Sequence, residues 1–297
     1  MKKIFAAVFG LLFFIAATCS AYSDEGKLKV TMLDVGQGDA FLIETHEQNI
    51  LIDTGDISAR SKLLTQLNSA GITRFEKIIL THPHADHIGN AKAVIDAFPV
   101  DLVIDNGKTS NSPLYNNYVS TGIARQAVVS GDVLDFGGGV KFYVFSPAEN
   151  VTLQGVNNQS IVGKLTFGNF SILFTGDIEK DAEKVLWRNS NINLESTVLK
   201  ACHHGSKTSN VDNFVGHVKP TFVFISAELN NKFGHPHKSA LRTYRENFVL
   251  DENIFCTAFN GQVTVETDGS NYIVIPEKVS DWVVDYTKEI VTVTRIS

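Results

Sequence analysis

The most informative stretch of this chain of 297 residues is residues 81–87, which read Thr-His-Pro-His-Ala-Asp-His. Three imidazoles and one carboxylate fall within six residues, directly after the strand-like run of residues 77–80. A loop at the end of a buried strand can turn all four side chains to one side, which the fixed periods of a strand or a helix do not allow. Imidazole with carboxylate is a ligand set for Zn²⁺ and, with more oxygen donors, for Mn²⁺. The stretch therefore predicts a metal site at a strand end.

The histidines as a set favour this interpretation over a solvated polar loop in which Asp86 only caps the following helix. The chain has nine His residues, and seven of them fall in three tight groups. These are His82, His84 and His87, then His203 and His204, then His235 and His237. Histidines with purely structural roles rarely cluster so strongly, so the three groups predict a functional site.

Two further strand ends carry side chains of the same kind. Asp177 follows the apolar run of residues 171–175, and its two oxygens could bridge two cations, although capping of the next helix fits it equally well. His203 and His204 follow the apolar run of residues 197–201. Strand ends of this kind converge at one edge of a sandwich, so we expect them to form one site with residues 81–87.

The composition excludes two broad classes of protein. With 43% hydrophobic and 20% charged residues, the chain can bury enough apolar surface to fold, which excludes disorder as its main state. Its length allows one large domain or two small ones. The 26 basic residues against 32 acidic ones give a formal net charge of −6 and a pI near 5.8, which argues against a protein that coats nucleic acid by bulk positive charge.

Residues 1–21 have the features of a signal peptide. Lys2 and Lys3 precede an apolar run of about 14 residues, and small residues lead up to an expected cleavage after Ala21. A membrane span needs about 20 apolar residues. We therefore expect an exported protein, periplasmic or extracellular, that keeps no membrane span after cleavage. A retained anchor and a lipoprotein acylated at Cys19 are the alternatives.

Cleavage after Ala21 would also change the charge and the cysteine content. The formal net charge would become −8, because Lys2 and Lys3 are removed, and Cys202 and Cys256 would remain. In an oxidising compartment these two residues could form a disulfide, but a packed thiol at Cys202 beside the second histidine group fits at least as well.

The apolar patterns predict the fold class. They indicate strands at residues 29–33, 40–44, 49–52, 77–80, 102–105, 140–146, 161–167, 171–175, 197–201, 221–226, 254–257, 262–266 and 272–275. Helices are predicted at residues 58–70, 88–98, 179–188, 210–217 and 239–247, with a loop and short helix at residues 106–118. We therefore predict an α/β (α+β) fold, a four-layer αββα sandwich in one domain over residues 22–275. Residues 276–297 are expected to form a C-terminal β extension, in which the last twenty residues make a hairpin.

Seven motifs in order resemble the metallo-β-lactamase superfamily. They occupy residues 33–39, 51–55, 81–89, 157–160, 174–177, 203–209 and 234–237. Within the superfamily, the chain is most similar to the hydrolase domain at the C-terminus of the ComEC family of DNA-internalisation competence proteins. The likeness covers about residues 28–269.

The resemblance implies two divalent metal ions, Zn or Mn, with His82 and His84 on one ion, Asp86, His87 and His203 on the other, and Asp177 between them. His204 could equally be the ligand of its pair, although the spacing to the following Gly favours His203. Asp53 resembles the superfamily's buried supporting Asp, which is not a ligand.

The chain departs from many superfamily members in one respect, because no His occurs between His87 and His203. Lactamases and glyoxalase II carry a third ligand His for the first metal in that interval. Residues 157–160, Asn-Asn-Gln-Ser, occupy the region here, as in competence-type domains. This difference counts against β-lactam or thioester hydrolysis and implies a first metal that is held more loosely.

The mechanism implied is attack by hydroxide. Two metals would acidify a bridging water, and Asp86 could orient the hydroxide so formed. His235 or His237 is the candidate general acid that delivers a proton to the leaving oxygen. An exposed His pair on a loop without a catalytic role is the alternative.

A substrate anion is expected to bind beside the metals. Ser206, Lys207 and Thr208 follow the second histidine group and are expected to open a helix, so that hydroxyls, an ammonium and a helix N-terminus act together. Asn158 is expected to contribute to the same anion site, and the backbone N–H groups of residues 36–38 could add donors.

These features predict an exported metal-dependent phosphodiesterase or nuclease, and the resemblance suggests single-stranded DNA as its substrate. One alternative is an esterase on phosphocholine, a cell-wall phosphodiester or another small-molecule ester, which an aromatic pocket near residues 106–118 would favour. The other alternative is a non-catalytic binding module on a degenerate site.

Overall fold

The computed structural model describes residues 26–148, 151 and 153–279. The predicted signal peptide, residues 1–21, lies outside the described residues, and so does most of the predicted C-terminal β extension, at residues 280–297. Among the helices of the described part, none combines the length and the apolar character that crossing a membrane requires.

Fifteen strands form two sheets in the described part of the chain. They are β1 (Leu28–Met32), β2 (Phe41–Glu44), β3 (Asn49–Ile52), β4 (Phe75–Leu80), β5 (Val100–Asp105), β6 (Arg125–Ala127), β7 (Val133–Asp135), β8 (Lys141–Ser146), β9 (Val162–Phe167), β10 (Phe170–Phe174), β11 (Val198–Lys200), β12 (Phe222–Ile225), β13 (Ile254–Cys256), β14 (Val263–Thr267) and β15 (Tyr272–Pro276). The first sheet has the strand order β15-β14-β1-β2-β3-β4-β5-β6, and the second has the order β13-β12-β11-β10-β9-β8-β7. Both sheets are mixed, with parallel pairing from β3 to β6 and from β10 to β13.

Eight helices accompany the sheets within the described residues. They are α1 (Arg60–Ser69), α2 (Ala85–Ile88), α3 (Ala91–Ala97), α4 (Pro113–Val119), α5 (Lys180–Arg188), α6 (Asp212–Val218), α7 (Lys238–Glu246) and α8 (Thr257–Asn260).

Three buried apolar clusters separate four layers. The first lies between the two sheets, where Phe41 and Phe174 meet edge to face with 5.2 Å between their ring centroids. The second lies between the second sheet and α5 to α7, and includes Leu186. The third lies between the first sheet and α1, α3 and α4, and includes Leu67. Full burial of one such Leu or Phe side chain contributes about 1.5–3 kcal/mol. The predicted αββα sandwich is therefore confirmed.

The parallel strands bring their carboxyl ends to one edge of the sandwich. In the first sheet β3 pairs with β4, and in the second β10 pairs with β11. Asp53 follows β3 and residues 81–87 follow β4, while Asp177 follows β10 and residues 203–204 follow β11. Because the two sheets pack face to face, these strand ends meet, as the sequence predicts.

The helix predicted at residues 88–98 is broken in the structure, and residues 81–87 are not wholly a loop. Helix α2 already contains Asp86 and His87, and α3 follows after an interruption. The interruption is at Asn90, whose side-chain amide donates to two backbone carbonyl groups of the loop after β3. These hydrogen bonds hold the chain against the first sheet and keep the two helices separate.

Two strands, β6 and β7, are absent from the sequence-based prediction. Each has only three residues, and all three side chains of β6 are exposed. A strand this short and this exposed carries no alternation of apolar and polar residues, so its pattern does not distinguish it from a loop.

Candidate metal centre

The predicted ligand residues lie together at the shared edge of the two sheets. The group comprises His82, His84, Asp86, His87, Asp177, His203 and His204. His235 approaches them from the loop between β12 and α7, with its ring centroid 5.3 Å from that of His203 and 6.0 Å from that of His204. All three histidine groups of the sequence therefore meet in one place.

Asp86, His87, Asp177 and His204 form the core of the centre. One ligand atom from each of these residues lies within 4.8 Å of every other. Asp177 Oδ2 is 3.1 Å from His87 Nε2 and 3.4 Å from His204 Nε2, and Asp86 Oδ2 is 3.5 Å from His204 Nε2. Two imidazoles and two carboxylates at these distances can enclose one divalent cation.

His82 and His84 form a second, more open pair beside this core. His82 Nε2 lies 3.0 Å from His84 Nδ1 and 4.0 Å from Asp177 Oδ2, so Asp177 lies between the two groups. Burial and the neighbouring His87 lower the pKa of His82 well below its usual value, which keeps a lone pair available at neutral pH. The region of residues 157–160 supplies Ser160, whose Oγ is 3.2 Å from His82 Nδ1, but no third imidazole.

His204, rather than His203, is the member of its pair that contributes a ring nitrogen to the core. The side chain of His204 is 1% exposed, whereas that of His203 is 22% exposed and its Nε2 lies 3.8 Å from Asp177 Oδ2. His203 Nδ1 instead faces Glu179 Oε1 at 3.4 Å. Both histidines have left-handed backbones, with φ of 48° and 52°, and this tight turn directs their rings to different sides. The geometry therefore does not support the expectation that favoured His203.

The donor atoms of the core fit a bound cation. His87 Nε2, both ring nitrogens of His204 and Asp177 Oδ1 are buried, and within the described residues none has a well-aligned hydrogen-bond partner. Buried polar atoms in native proteins are almost always paired with protein, water or an ion. A divalent metal in the core would give His87 Nε2 and His204 Nε2 a partner, which an apolar ligand would not, while His204 Nδ1 faces Asp39 Oδ1 at 3.4 Å.

The charges of the core also fit a cation. Burial by itself lowers the pKa of His87, but Asp177 and Asp53 outweigh it and raise that pKa well above its usual value. His204 behaves in the same way, because Asp177 and Asp39 overcome the effect of burial on its pKa. Burial favours the protonated form of Asp177, yet the two imidazoles hold its pKa well below the usual range. Protons on the imidazoles thus offset the carboxylates, and a metal would displace those protons.

Asp53 lies beneath the core. It is fully buried, and its Oδ2 accepts hydrogen bonds from His87 Nδ1 (2.8 Å) and from the Thr81 hydroxyl (2.7 Å). Its Oδ1 accepts the Thr81 N–H at 2.8 Å. The bond to Nδ1 directs the other ring nitrogen, Nε2, into the core, which is how a supporting carboxylate fixes a metal-binding tautomer.

Two charged residues of the centre, Asp39 and Lys200, are missing from the sequence-based site. Asp39 Oδ2 and Lys200 Nζ form an ion pair at 2.6 Å, with side chains 3% and 1% exposed. Lys200 Nζ also lies 3.6 Å from Asp177 Oδ1, and Asp39 Oδ1 lies 3.4 Å from His204 Nδ1. A lysine within the apolar run of residues 197–201 was the feature of the sequence that could have indicated this pair.

The turn after β1 packs against the backbone of α2. The Asp39 N–H donates to the Asp86 carbonyl oxygen at 3.1 Å. Gly38 has a φ of 133°, and a Cβ there would lie 2.3 Å from the same oxygen, so only glycine allows the approach. The Gly36 N–H, expected as a donor to substrate, already donates to Asp34 Oδ1 at 3.2 Å.

His235 and His237 border the centre on one side. His235 Nδ1 lies 3.5 Å from Gln37 Nε2, and His237 Nδ1 accepts the Lys207 N–H at 3.2 Å. Burial and the imidazole of His204 lower the pKa of His235 to about 3. At neutral pH His235 is therefore uncharged.

The expectation that Ser206, Lys207 and Thr208 open a helix is wrong. The next helix, α6, begins only at Asp212. Ser206 Oγ lies 3.0 Å from Thr208 Oγ1, which donates to Glu179 Oε1 at 2.9 Å, so both hydroxyls already have protein partners. The third residue, Lys207, has no hydroxyl, and its side chain is exposed.

Buried Glu183 explains why the helix starts late. Its carboxyl group accepts the N–H groups of Asn210 and Val211, and burial raises its pKa to about 7. Asn210 has a left-handed backbone with a φ of 63°, which is incompatible with a helix at that point. The nearby Cys202 is a free buried thiol, and so is Cys256, so the structure contains no disulfide between them.

Asn158, which is expected in an anion site, has protein partners at both ends of its amide. Its Oδ1 accepts the Glu179 N–H at 2.9 Å, and its Nδ2 donates to the Gln154 carbonyl oxygen at 2.9 Å. The residue is buried, and its amide connects two backbone segments.

The region of residues 106–118 does not provide an aromatic pocket. The Tyr118 hydroxyl donates to Asp105 Oδ2 at 2.9 Å, and Arg125 bonds to the same carboxylate and to the Tyr115 hydroxyl. Both tyrosines are buried in this network. Their rings stabilise the fold and are not available to a ligand.

Comparisons with known proteins agree with this geometry. The chain matches the model of the metallo-beta-lactamase superfamily over residues 33–217. It is 33% identical over 249 residues to ComE operon protein 3 of Bacillus subtilis (strain 168), which covers 76% of this chain and 31% of that protein. It is 31% identical over 224 residues to competence protein ComA of Neisseria gonorrhoeae, with 74% of this chain and 30% of that protein covered. The chain thus spans about a third of the length of these relatives.

One solved structure shows the same fold. The metallo-beta-lactamase fold protein YhfI from Bacillus subtilis superposes with a TM-score of 0.54 at 13% sequence identity. The superposition covers 82% of this chain and 100% of that chain. At this identity the likeness concerns the fold and not the substrate.

Proposed function

The chain belongs to the metallo-beta-lactamase superfamily, and from this premise we propose that it is a metal-dependent phosphodiesterase that hydrolyses single-stranded DNA. One observation carries the proposal. The buried core of Asp86, His87, Asp177 and His204 adjoins the pair His82 and His84, and Asp177 lies between the two groups. Such an arrangement suits two cations on either side of one carboxylate.

We assign the ligands accordingly. Asp86, His87, Asp177 and His204 would hold one divalent ion, with His204 in place of His203. His82, His84 and Asp177 would hold the second. The mixture of imidazole and carboxylate donors suits Zn²⁺ or Mn²⁺. Because the second set has three protein donors and an exposed His84, we expect the second ion to bind more weakly.

When bound, such ions lower the pKa of a coordinated water and offset negative charge on a phosphoryl group. The protein residues provide orientation and proton transfer. Asp53 fixes the His87 ring through Nδ1. Burial lowers the pKa of both His235 and His237, so neither ring is charged at neutral pH. Either ring would donate a hydrogen bond to a substrate oxygen, and one of the two is the candidate for the proton delivered to the leaving group.

The substrate class is inferred from the relatives and from the charge. The two curated relatives described above are a ComE operon protein and a competence protein, which makes DNA the favoured phosphodiester. The acidic net charge does not oppose this, because divalent ions would make the centre locally positive. The buried state of Tyr115 and Tyr118 removes the support for a phosphocholine esterase. From the features of residues 1–21 we also propose export.

The proposed activity is tested with purified protein and added Mn²⁺ or Zn²⁺. We expect hydrolysis of single-stranded DNA that stops in excess chelator. Intact DNA together with hydrolysis of bis-p-nitrophenyl phosphate would indicate a small-ester enzyme instead. Absence of both reactions, with metal bound, would support a binding module and overturn the enzymatic proposal.

The assignment of His204 leads to a separate prediction. His204→Ala removes one of four donors from the buried core, and we expect the affinity for the tighter ion to fall by at least about a hundredfold, since even an outer partner of a ligand contributes about 10–100-fold. His203→Ala, the matched control, should retain affinity within about tenfold. Metal content after dialysis, measured by elemental analysis, decides the assignment. A larger loss of metal in His203→Ala than in His204→Ala would show that His203 is the ligand.

A further inference from the structure

A groove of about 730 Å³ leads away from the metal centre. Its lining includes Asp86, residues 35–37 and residues 228–233. Phe233 is the one aromatic side chain among its described lining residues, and it is 50% exposed. A half-exposed aromatic ring in a groove beside a hydrolytic centre is available to contact substrate.

Three rings connect this groove to the metal centre. His204, in the core, is nearly parallel to His235, with an interplanar angle of 29° and 6.0 Å between centroids. His235 is in turn nearly parallel to Phe233, with an angle of 20° and a centroid distance of 5.6 Å. The Phe233 ring therefore continues a stack that begins at a metal ligand. A flat group placed on Phe233 would therefore lie close to a phosphate bound at the centre.

The charges in the groove favour a neutral group over a phosphate. Three carboxylates line it, those of Asp56, Asp86 and Glu228, and carboxylates repel phosphates but accept hydrogen bonds from amino groups. Two lysines also line it, and one of them, Lys62, is paired with Asp34 at 2.5 Å. Lys232 Nζ lies 5.0 Å from the Phe233 centroid, over the ring. A base that stacks on this ring displaces the exposed Lys232 side chain, whose ammonium can then attract the neighbouring phosphate. A quaternary ammonium ligand is usually enclosed by several aromatic rings. The described lining of this groove has one aromatic ring, Phe233, and Lys232 already contacts it, so the groove is poorly suited to such a ligand.

We propose that the groove binds a nucleobase next to the scissile phosphodiester and that this base stacks on Phe233. The inference rests on the proposed phosphodiesterase function and adds to it the part of the substrate that is recognised. Stacking on an aromatic ring tolerates all bases, because every base has a π face. In a duplex the bases are already paired and stacked, so a base reaches Phe233 only from a single strand. Phe233 thus accounts for a preference for single-stranded DNA.

The test compares two substrates of equal length, a short oligothymidylate and the same backbone with every base replaced by an abasic tetrahydrofuran unit. With metal-loaded protein, Phe233→Ala is expected to raise KM for oligothymidylate about tenfold, since base–aromatic stacking of this kind is worth a factor of roughly 5 to 150. KM for the abasic oligomer should stay within about twofold. Phe233→Tyr should restore the wild-type KM, because it keeps the ring.

Phe248→Ala is the matched control, because Phe248 is 93% exposed and does not line the groove. Equal effects of Phe233→Ala on both substrates, or no effect on either, would overturn the inference. Binding of both fluorescein-labelled oligomers is measured on the same proteins by fluorescence anisotropy. If the wild type hydrolyses neither oligomer, the proposed function fails, while a base-dependent affinity that Phe233→Ala abolishes would still support the stacking site.

Discussion

Replacing Asp177 by Asn is expected to abolish metal binding and hydrolysis together. Asp177 Oδ2 is within 4.0 Å of His82, His87 and His204, so this one carboxylate serves both proposed ions. The amide keeps the shape but loses the negative charge. We expect metal affinity to fall by more than about a hundredfold, and hydrolysis of single-stranded DNA by about a thousandfold, because metal ions contribute several kcal/mol to such reactions. Elemental analysis and initial rates measure the two effects.

Asp181→Asn provides the matched control for this change. Asp181 is exposed in the first turn of α5, four residues along the chain from Asp177. The same substitution there should leave metal content and rate within about twofold. If Asp177→Asn kept its metal and its rate, the dinuclear arrangement would be refuted.

Replacing Lys200 by Met is expected to produce the largest loss of stability. The change leaves the Asp39 carboxylate, 3% exposed, without the ammonium 2.6 Å away. Removing one partner of a buried ion pair typically costs about 3–5 kcal/mol, because the remaining charge stays desolvated. Urea unfolding in the presence of chelator would measure this loss without a contribution from metal binding. Adding Asp39→Asn should recover part of the free energy of unfolding, because the uncompensated charge is then gone.

Lys219→Met is the control for this prediction. Lys219 pairs with Glu195 at 3.6 Å, but the two side chains are 66% and 62% exposed. Exposed pairs contribute about 0–1 kcal/mol. Equal unfolding midpoints for Lys200→Met and Lys219→Met would show that the buried pair does not stabilise the fold.

The fold was predictable where its elements carry long apolar patterns. The strands β1 to β4 and β9 to β12 each contain several buried side chains in succession, and β8 alternates buried with more exposed ones. The αββα arrangement follows from the alternation of these strands with helices. The break at Asn90 was not predictable, because it depends on hydrogen bonds to a loop about 35 residues earlier. The late start of α6 depends in the same way on Glu183, which lies on another helix.

The candidate site was predictable to the extent that its residues are neighbours in the sequence. His82, His84, Asp86 and His87 follow one strand, so a single motif reveals them. The choice between His203 and His204 was not predictable, because it depends on the left-handed backbone of both residues. Residues other than glycine rarely adopt this conformation, so the sequence gives no reason to expect it.

The ion pair of Asp39 and Lys200 was missed for a different reason. Asp39 lies in the turn between two strands of the first sheet, whereas Lys200 lies on β11 of the second sheet, far away in the sequence. Only the packing of the two sheets brings the two residues together. The lysine in an apolar strand indicated that a buried charge needed a partner, but it did not identify which carboxylate would supply it.

The most direct test of the proposed phosphodiesterase centre is one titration of the metal-free protein with Mn²⁺ or Zn²⁺, in which bound metal and hydrolysis of single-stranded DNA are measured on the same samples. We predict that the rate rises with bound metal and reaches its maximum at two ions per chain. The second ion should bind more weakly than the first. Hydrolysis that is undiminished in excess chelator, or a chain that binds no metal at all, would contradict the account.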